Sequence, residues 1–324
     1  RDMLDALGVN PAPLMLSVVV LGCGLAGLAG ALQLPRMPAH LQMDLQMVVE
    51  TFVVVVMGGL GSIAGAFYAA ILIGCVHAFG IHFFPQATLV LVFLTMALVL
   101  AIRPQGLMGE LPGAAPREKV MPFNMGSAHR IFKWTGWLVL AGCALSLLVV
   151  NDYSQRVLED VLIMMLFGLS LQCMMALSGW VSFGHAAYFG LGAYAAALSH
   201  LQWQFNALSA ALMGCLVATV AALLMGQLLL RSAGVYLAML SLAFAQMVWA
   251  SASQWVSLTG GDNGLIGLQF FNAMPRWQFQ VALVLLCFVS LYGFSRLVRS
   301  SFGAALQAGR DAPLRAQASA LNVA

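Results

Sequence analysis

Long apolar runs separated by short polar connections make up most of the chain. A helix needs about 20 apolar residues to cross the hydrocarbon core of a bilayer. Nine runs approach or exceed that length: 13–34, 63–82, 87–102, 132–150, 157–178, 183–201, 206–230, 234–256 and 277–298. A shorter run, 46–57, leads directly into Gly58-Gly59-Leu60-Gly61-Ser62. The pattern predicts an all-α, polytopic transmembrane helix bundle with about nine spans plus a re-entrant half-helix.

The composition also indicates that these runs lie in lipid. Hydrophobic residues are 62% of the chain and charged residues 8%, whereas an ordinary soluble domain carries about 25% charged residues. So few charges could not cover a water-facing surface of this size. We therefore expect lipid to surround most of the protein.

The positions of Lys and Arg predict the orientation, because short cytoplasmic connections are enriched in these residues. If the polar stretch 103–131 is cytoplasmic and the spans alternate from there, eleven basic residues fall inside and three fall outside. The opposite orientation reverses that ratio. The run 46–57 must then enter from the outside, as a half-helix that ends at a break in mid-membrane or deeper.

The stretch 103–131 also divides the chain. It contains four prolines and scattered basic residues, which is typical of a flexible connection. We predict a first unit at 1–102, a cytoplasmic linker at 103–131 and a second unit at 132–324. Both chain ends carry Arg-Asp followed by an Ala-Leu-x-Val core, an echo that indicates a duplicated unit if it is not a chance similarity.

The sequence offers no catalytic motif. There is no GxxxxGK[ST], and the only lysines are Lys119 and Lys133, so the chain has no P-loop for a nucleotide. HExxH, GxSxG and clustered carboxylate pairs are also absent, and the six cysteines lie singly in apolar runs. We predict no enzyme, no catalytic residue, no metal and no cofactor. If transport uses ATP, hydrolysis belongs to another subunit.

Two polar, glycine-containing stretches are candidates for the substrate pathway. Irregular backbone at membrane depth is tolerated where protein buries it or where it lines a wet cavity, and ionisable residues there usually face the bundle interior. A tight turn between packed helices and a structural histidine are the alternatives. The candidate residues are Glu50, Gly58, Gly59, Gly61, Ser62, Ser182, Gly184, His185 and Tyr188.

Two other segments are candidate sites at which partner proteins could dock. The predicted external loop at 258–264 either reverses the chain or docks an external partner. The predicted inner segment from Ser301 to Val323 interleaves apolar and basic residues and either docks a soluble protein or binds anionic lipid. It should form two short helices that meet between Gly309 and Pro313.

Several motifs in combination resemble the permeases of bacterial branched-chain amino acid ABC importers. The stretches Gly58-Gly59-Leu60-Gly61-Ser62-Ile63-Ala64-Gly65-Ala66 and Arg103-Pro104-Gln105-Gly106-Leu107 resemble the C-terminal half of one permease subunit. The stretches Ser182-Phe183-Gly184-His185-Ala186-Ala187-Tyr188, Leu258-Thr259-Gly260-Gly261-Asp262-Asn263-Gly264 and Ser301-Phe302-Gly303-Ala304-Ala305-Leu306 resemble the second subunit. The resemblance implies a fusion of the two subunits, truncated at both ends.

The resemblance also implies partners and a location. Two separate ABC ATPase subunits and an extracytoplasmic substrate-binding protein would assemble with the chain in the bacterial plasma (inner) membrane, and no nucleic acid is involved. The implied ATPase-coupling residues are Asp2, Leu7, Gly8, Gly303, Arg310, Asp311 and Arg315. Those implied for binding-protein docking are Thr259, Gly260, Gly261, Asp262 and Asn263. Asp262 occupies a position where many relatives have Pro.

The family transports leucine, isoleucine and valine, and it has relatives that carry urea and short amides. An amino acid zwitterion needs a carboxylate site, which the helix N-terminus after Ser62 could supply, together with an apolar pocket. A stand-alone secondary transporter is the alternative from another class. We expect a branched-chain amino acid importer.

Overall fold

The computed structural model describes residues 11–35, 37–41, 43–109, 152–230, 234–268, 276–311 and 316. At several of these positions, Asp262 among them, only the backbone is described. The described residues are helical or irregular, with no strand among them. The all-α prediction is therefore confirmed.

Eleven α-helices follow one another along the described ranges. They are α1 Pro11–Gln33, α2 Met43–Gly58, α3 Ile63–Phe83, α4 Thr88–Ile102, α5 Asp152–Ser178, α6 His185–Trp203, α7 Ala207–Leu229, α8 Val235–Gln254, α9 Val256–Thr259, α10 Arg276–Val298 and α11 Ser301–Asp311. Six of them are long and apolar enough to cross a membrane: α1, α3, α5, α7, α8 and α10. The predicted span 132–150 lies outside the described residues.

Two compact units divide the chain, Arg1–Thr51 and Phe52–Ala324. In the first unit α1 is exposed along its length, as expected of an apolar helix that meets lipid. The remaining paragraphs concern the second unit.

Helices α3 and α4 form an antiparallel pair joined by a short 3₁₀ turn, Pro85–Ala87. Ser62 caps α3 because its side-chain oxygen accepts a hydrogen bond from the Gly65 amide at 3.0 Å. At the other end of α3, Gly80 lies so close to Thr88 that an added Cβ would come within 3.0 Å of the threonine methyl carbon. The glycine thus lets the two backbones approach closely.

The core of the second unit lies around α4 and α8. Helix α4 packs against α8 as well as α3, and its buried side chains include Phe93, Met96 and Leu100. Residues Tyr236 to Ser241 of α8 are buried in succession, so this part of α8 is surrounded by protein on all sides. Because α4 precedes residues 103–131 and α8 follows them, the packing joins residues from both sides of this stretch.

Helices α5 and α10 run in the same direction. Gln280 near the start of α10 donates to Glu159 near the start of α5 at 2.9 Å, and Cys287, further along α10, donates to the Leu162 carbonyl. Leu162, Leu283 and Cys287 form a buried cluster between the two helices. Parallel packing is expected if α6, α7 and α8 each cross the membrane between them, which favours α6 as a span despite its lower apolarity.

Two predicted spans differ in their boundaries. The run 183–201 begins as a helix only at His185, because the Phe183 and Gly184 amides bond to a serine hydroxyl on α8. The run 234–256 ends as a helix at Gln254, and the short α9 follows after Trp255. Apolarity alone continues through both points, whereas the hydrogen bonds of the backbone do not.

Candidate functional site

A groove of about 310 Å³ lies between α5 and α6. Its walls are mainly aliphatic and aromatic, with polar atoms from a serine, a histidine and a tyrosine. The lining residues are Ile163, Leu166, Phe167, Ser170, His185, Tyr188 and Phe189. The volume lies at the small end of the range for small-molecule sites, about 300–1,000 Å³.

Helical periodicity places these residues on one face of each helix. On α5 the lining positions are separated by three or four residues, which is the spacing of neighbours on a helix surface. On α6 the histidine is the first helical residue, and Tyr188 and Phe189 follow three and four positions later. Residues 179–184, between α5 and α6, form a second break in the helices. The groove lies where this break ends and His185 packs against α5.

His185 and Ser170 form the polar contact of the groove. The histidine Nε2 and the serine Oγ are 2.8 Å apart, and the serine hydroxyl donates to the Phe167 carbonyl at 2.7 Å. Since a hydroxyl has one proton to donate, its oxygen accepts from an Nε2–H of the histidine. The network thus places a proton on Nε2.

Aromatic rings frame this contact. The Phe167 ring lies 5.4 Å from the His185 ring and 5.6 Å from the Phe189 ring. Tyr188 lies 6.1 Å from the histidine ring and 5.4 Å from Phe244 on α8. These separations are typical of favourable ring pairs. The histidine is half-buried and is fixed on one side by a hydrogen bond and on others by rings.

Ser182 and Gly184 support the groove from behind rather than lining it. The Ser241 hydroxyl accepts from the Phe183 amide at 3.0 Å and from the Gly184 amide at 3.2 Å, and it donates to the Ala238 carbonyl at 2.7 Å. A Cβ on Gly184 would collide with the Ser241 carbonyl, and Ser182 is buried. The start of α6 is therefore fixed to α8.

The glycine break at 58–62 is packed by backbone from the segment after α4. Met57 and Gly58 carbonyls accept from the Leu107 amide at 2.8 Å and the Met108 amide at 3.0 Å. Gly59 has φ +102°, and an added Cβ would collide with Gly109. The break thus lies beside the end of α4. The segment after α4 supplies donors for two of the four carbonyls at the end of α2, and the Gly59 amide bonds to the other two, of Val55 and Val56.

The remaining pathway candidates are not part of the described groove lining. Gly61, with φ +87°, is exposed, and nothing lies within 4 Å of an added Cβ. Ser62 uses its oxygen to cap α3, so the Gly65 amide already has a partner. Glu50 is exposed on α2.

The loop predicted to dock an external partner is compact. Thr259 is buried, and its hydroxyl lies 2.5 Å from the Ala252 carbonyl and 2.8 Å from the Trp255 carbonyl, facing the end of α8. Gly260 and Gly261 have φ +79° and +60°, which favours glycine. Asn263 is the exposed side chain among the described candidates.

On the opposite end of the second unit, α11 packs against α5. Gly303 is buried, because a Cβ there would collide with the Leu297 carbonyl, and its amide donates to the Ser300 hydroxyl at 3.1 Å. Arg310 pairs with Asp311 at 2.7 Å and donates to the Ala176 carbonyl. One helix, Ser301–Asp311, is described here. The predicted second helix, together with Asp2, Leu7, Gly8 and Arg315, falls outside the described residues.

Sequence reasoning missed Phe167, Ser170 and Ser241. Ser170 is a polar residue in an apolar run, four and seven positions after Leu166 and Ile163, and this spacing is the one signal that could have found it. Nothing in the sequence indicates that Ser241 reaches a segment 57 residues away. Within the described ranges, no group of His, Cys, Asp and Glu could hold a metal ion.

Comparison with known proteins gives a family. The family model described as branched-chain amino acid transport system / permease component matches residues 1–102 and 154–324. The chain is similar to the high-affinity branched-chain amino acid transport system permease protein LivM of Salmonella typhimurium, at 27% identity over 192 residues, or 50% of this chain and 45% of that protein. It is 28% identical to the Escherichia coli protein of the same name over 178 residues, or 46% of this chain and 42% of that protein.

The chain therefore spans about half the length of the curated relatives it matches. No solved structure matches it. The family model nevertheless covers well over half of the residues, and six described helices are able to cross a bilayer. The chain belongs to the branched-chain amino acid transport permease family and is a multi-pass protein of the inner membrane.

Proposed function

We propose that the chain is the membrane-spanning component of an ABC importer for branched-chain, hydrophobic amino acids. The observation that carries this proposal is the family match on both sides of the linker, at 1–102 and 154–324. Both similar proteins are named as branched-chain amino acid permeases. Substrate would cross by alternating access, driven by separate ATPase subunits.

The same match supports two fused permease units. Residues 1–102 are the C-terminal part of the first, 103–131 are the cytoplasmic linker, and 132–324 are the N-terminal part of the second. The unmatched stretch 103–153 contains the whole of the proposed linker. The packing of α4 against α8 brings helices of both proposed permease parts into contact, as expected of two permeases that form one pathway.

The groove between α5 and α6 fits the substrate class. Its aliphatic and phenyl walls suit a branched hydrocarbon side chain, and the Ser170–His185 contact offers hydrogen-bonding groups for the polar end of an amino acid. Ser182 and Gly184 act by holding α6 on α8. Tyr188 lines the groove, and Gly61 is an exposed position within the break at 58–62.

Partners would supply what the chain lacks. No P-loop motif occurs in the sequence, so two ATPase subunits would bind at the inner face, where α11 and the segment containing Asp2, Leu7 and Gly8 are the proposed contacts. Arg315 belongs to the same inner segment. An extracytoplasmic binding protein would dock at the loop 258–264, where Asn263 is exposed.

Reconstitution tests the proposal. The full-length protein in liposomes, with its ATPase and binding-protein partners, should accumulate labelled leucine, isoleucine and valine only when ATP is hydrolysed. An ATPase subunit with an inactivated P-loop lysine is the matched control. Uptake of urea or acetamide instead of amino acids would change the substrate class. Uptake driven by an ion gradient without the ATPase would contradict the proposal.

The exposed break offers a test of its own. We expect Gly61→Leu to lower leucine uptake if the break contributes to the pathway, because the added side chain would extend from an exposed position beside the N-terminus of α3. Gly22→Leu on the exposed face of α1, where an added Cβ also meets nothing within 4 Å, controls for the added bulk. Unchanged uptake in the Gly61 variant would exclude a substrate role for the break.

A further inference from the structure

Arg310 ties helix α11 to the end of α5. Its Nη1 donates to the Ala176 carbonyl, 134 residues away in sequence. Ala176 lies in the last turn of α5, where backbone carbonyls have no partner within the helix. A cationic side chain at a helix C-terminus also interacts favourably with the helix dipole. The contact therefore satisfies a carbonyl that α5 itself cannot.

Gly179 makes room for this contact. It has φ +71°, a conformation that side chains rarely adopt, and an added Cβ would lie 2.7 Å from Arg310 Cγ and 2.8 Å from Cδ. The methylene stem of the arginine thus lies directly on the first residue after α5. Glycine is therefore needed at 179 for two reasons: it adopts the positive φ of the turn, and it leaves space for the Arg310 side chain.

Asp311 orients the guanidinium. Its two carboxylate oxygens accept from Arg310 Nε at 2.7 Å and Nη2 at 3.2 Å, a two-point geometry that fixes the plane of the arginine. This leaves Nη1 directed at the end of α5. The ion pair is partly exposed, with 32% and 49% of the side chains accessible, so it contributes orientation more than stability.

The segment held by Arg310 carries both partners of the groove's polar contact. Ser170 lies six residues before Ala176 on the same helix, about 9 Å along its axis. The break at 179–184 starts at the glycine under Arg310 and ends at His185. A displacement of α11 would therefore pull on both Ser170 and His185 through short, ordered backbone.

We propose that Arg310 is a positioning residue that transmits movement of α11 to the groove between α5 and α6. The proposal rests on the proposed function, in which ATPase subunits bind α11 and drive alternating access. Arg310, oriented by Asp311, is the link that couples ATP hydrolysis to the change at Ser170 and His185.

The first experiment needs no partner. Hydrogen exchange of the full-length protein in nanodiscs should show about tenfold faster exchange at residues 177–188 in Arg310→Ala, the order expected for loss of a hydrogen bond from a charged group. The exchange rate in Arg310→Lys should be intermediate between those of wild type and Arg310→Ala, because an ammonium lacks the planar fork that bonds Asp311 and Ala176 together. Arg296→Ala is the control, since its side chain bonds within α10, to Tyr292.

A substitution at Gly179 tests the same contact from the α5 side. Gly179→Ala should displace Arg310 and raise exchange at 180–188 to a similar extent. Gly267→Ala controls for backbone strain, because Gly267 has φ +90° and nothing lies within 4 Å of an added Cβ. Unchanged exchange in Arg310→Ala, or equal exchange in Arg310→Lys and wild type, would overturn the proposed contact.

The second experiment measures coupling in the complex with ATPase and binding protein. Arg310→Ala should import several-fold less leucine per ATP hydrolysed than wild type, whereas Arg296→Ala should match the wild-type ratio. An unchanged ratio in Arg310→Ala overturns the coupling role. If the wild-type complex imports nothing with ATP, the proposed function fails and the coupling role with it, while hydrogen exchange still decides the Arg310 contact by itself.

Discussion

Single side chains in this protein act mainly by satisfying backbone groups that helix ends leave unpaired. Ser62 caps α3, Ser241 holds two amides at the start of α6, and Arg310 binds a carbonyl at the end of α5. Lipid offers no hydrogen bonds to such groups, so the protein must supply them. His185 differs, because its ring and the Ser170 hydroxyl face a groove.

The His185–Ser170 pair predicts coupled effects on uptake. We expect His185→Ala and Ser170→Ala each to lower leucine uptake several-fold, and the double variant to be little worse than the more severe single variant, because both remove the same contact. Uptake of labelled leucine into proteoliposomes measures the effects of the three variants. Ser209→Ala, whose hydroxyl bonds only the carbonyl at the start of its own helix, is the control. Fully additive effects would contradict a shared role.

We expect Ser241→Ala to lower the stability of the protein without removing a group that lines the groove. The hydroxyl is buried, at 2% exposure, and its removal leaves the Phe183 and Gly184 amides without their acceptor. Each such buried group costs about 1–3 kcal/mol. Thermal unfolding in detergent should show a clear decrease in Tm. Ser253→Ala on the same helix removes a bond to Ala250 within α8 alone and should change Tm little; equal decreases would refute this explanation.

At the scale of elements, each glycine-containing break is held by chain from outside its own helices. The break at 58–62 is packed by residues 106–109, and the break at 179–184 is held by Ser241 and Arg310. Neither break is an open hinge. Glycines at these points let backbone meet backbone, which is where membrane helices pack most closely.

Two glycines of the first break provide a matched comparison. Gly59 and Gly61 have φ +102° and +87°, so both pay a similar backbone cost when replaced by alanine, about 1 kcal/mol. Only at Gly59 would the added Cβ collide with Gly109. We therefore expect Gly59→Ala to lower Tm far more than Gly61→Ala, with a reduced yield of monodisperse protein. Equal losses would show that strain alone matters.

At the scale of the whole molecule, α4 and α8 of the second unit pack together from opposite sides of residues 103–131. Met96 and Leu240 are almost fully buried on these two helices, at 2% and 0% exposure. Because apolar burial gains little against lipid, such an interface is stabilised by close packing. The two proposed permease parts are then neighbours in space and not only in sequence.

Cleavage of the linker tests this packing. A protease site inserted in 103–131 should give two fragments that still elute together in mild detergent, because α4 remains packed against α8. Met96→Ala should promote their separation, since a large buried side chain leaves a cavity, at about 2 kcal/mol or more. Leu98→Ala, on the exposed side of α4 with 59% accessibility, is the control. Fragments that separate without any substitution would contradict the packing.

The sequence determined the solvent, the fold class and most of the helices. With 62% hydrophobic and 8% charged residues, most of the chain meets lipid, and its apolar runs have the length of spanning helices, which satisfy their own backbone hydrogen bonds. The break at Gly58 to Ser62 and the polar stretch before His185 were also visible, because glycines and polar residues are conspicuous in an apolar chain.

Only the tertiary structure decided what those features do. Hydropathy does not say which helices are neighbours, so the contact of Ser170 with His185 and the reach of Ser241 and Arg310 to distant backbone could not be predicted. The same limit explains why 183 and 184 look like the start of a span: their amides bond to α8, and the helix begins only at His185. Apolarity is a property of each residue alone, whereas a hydrogen bond or a close backbone contact needs two partners, and folding brings them together.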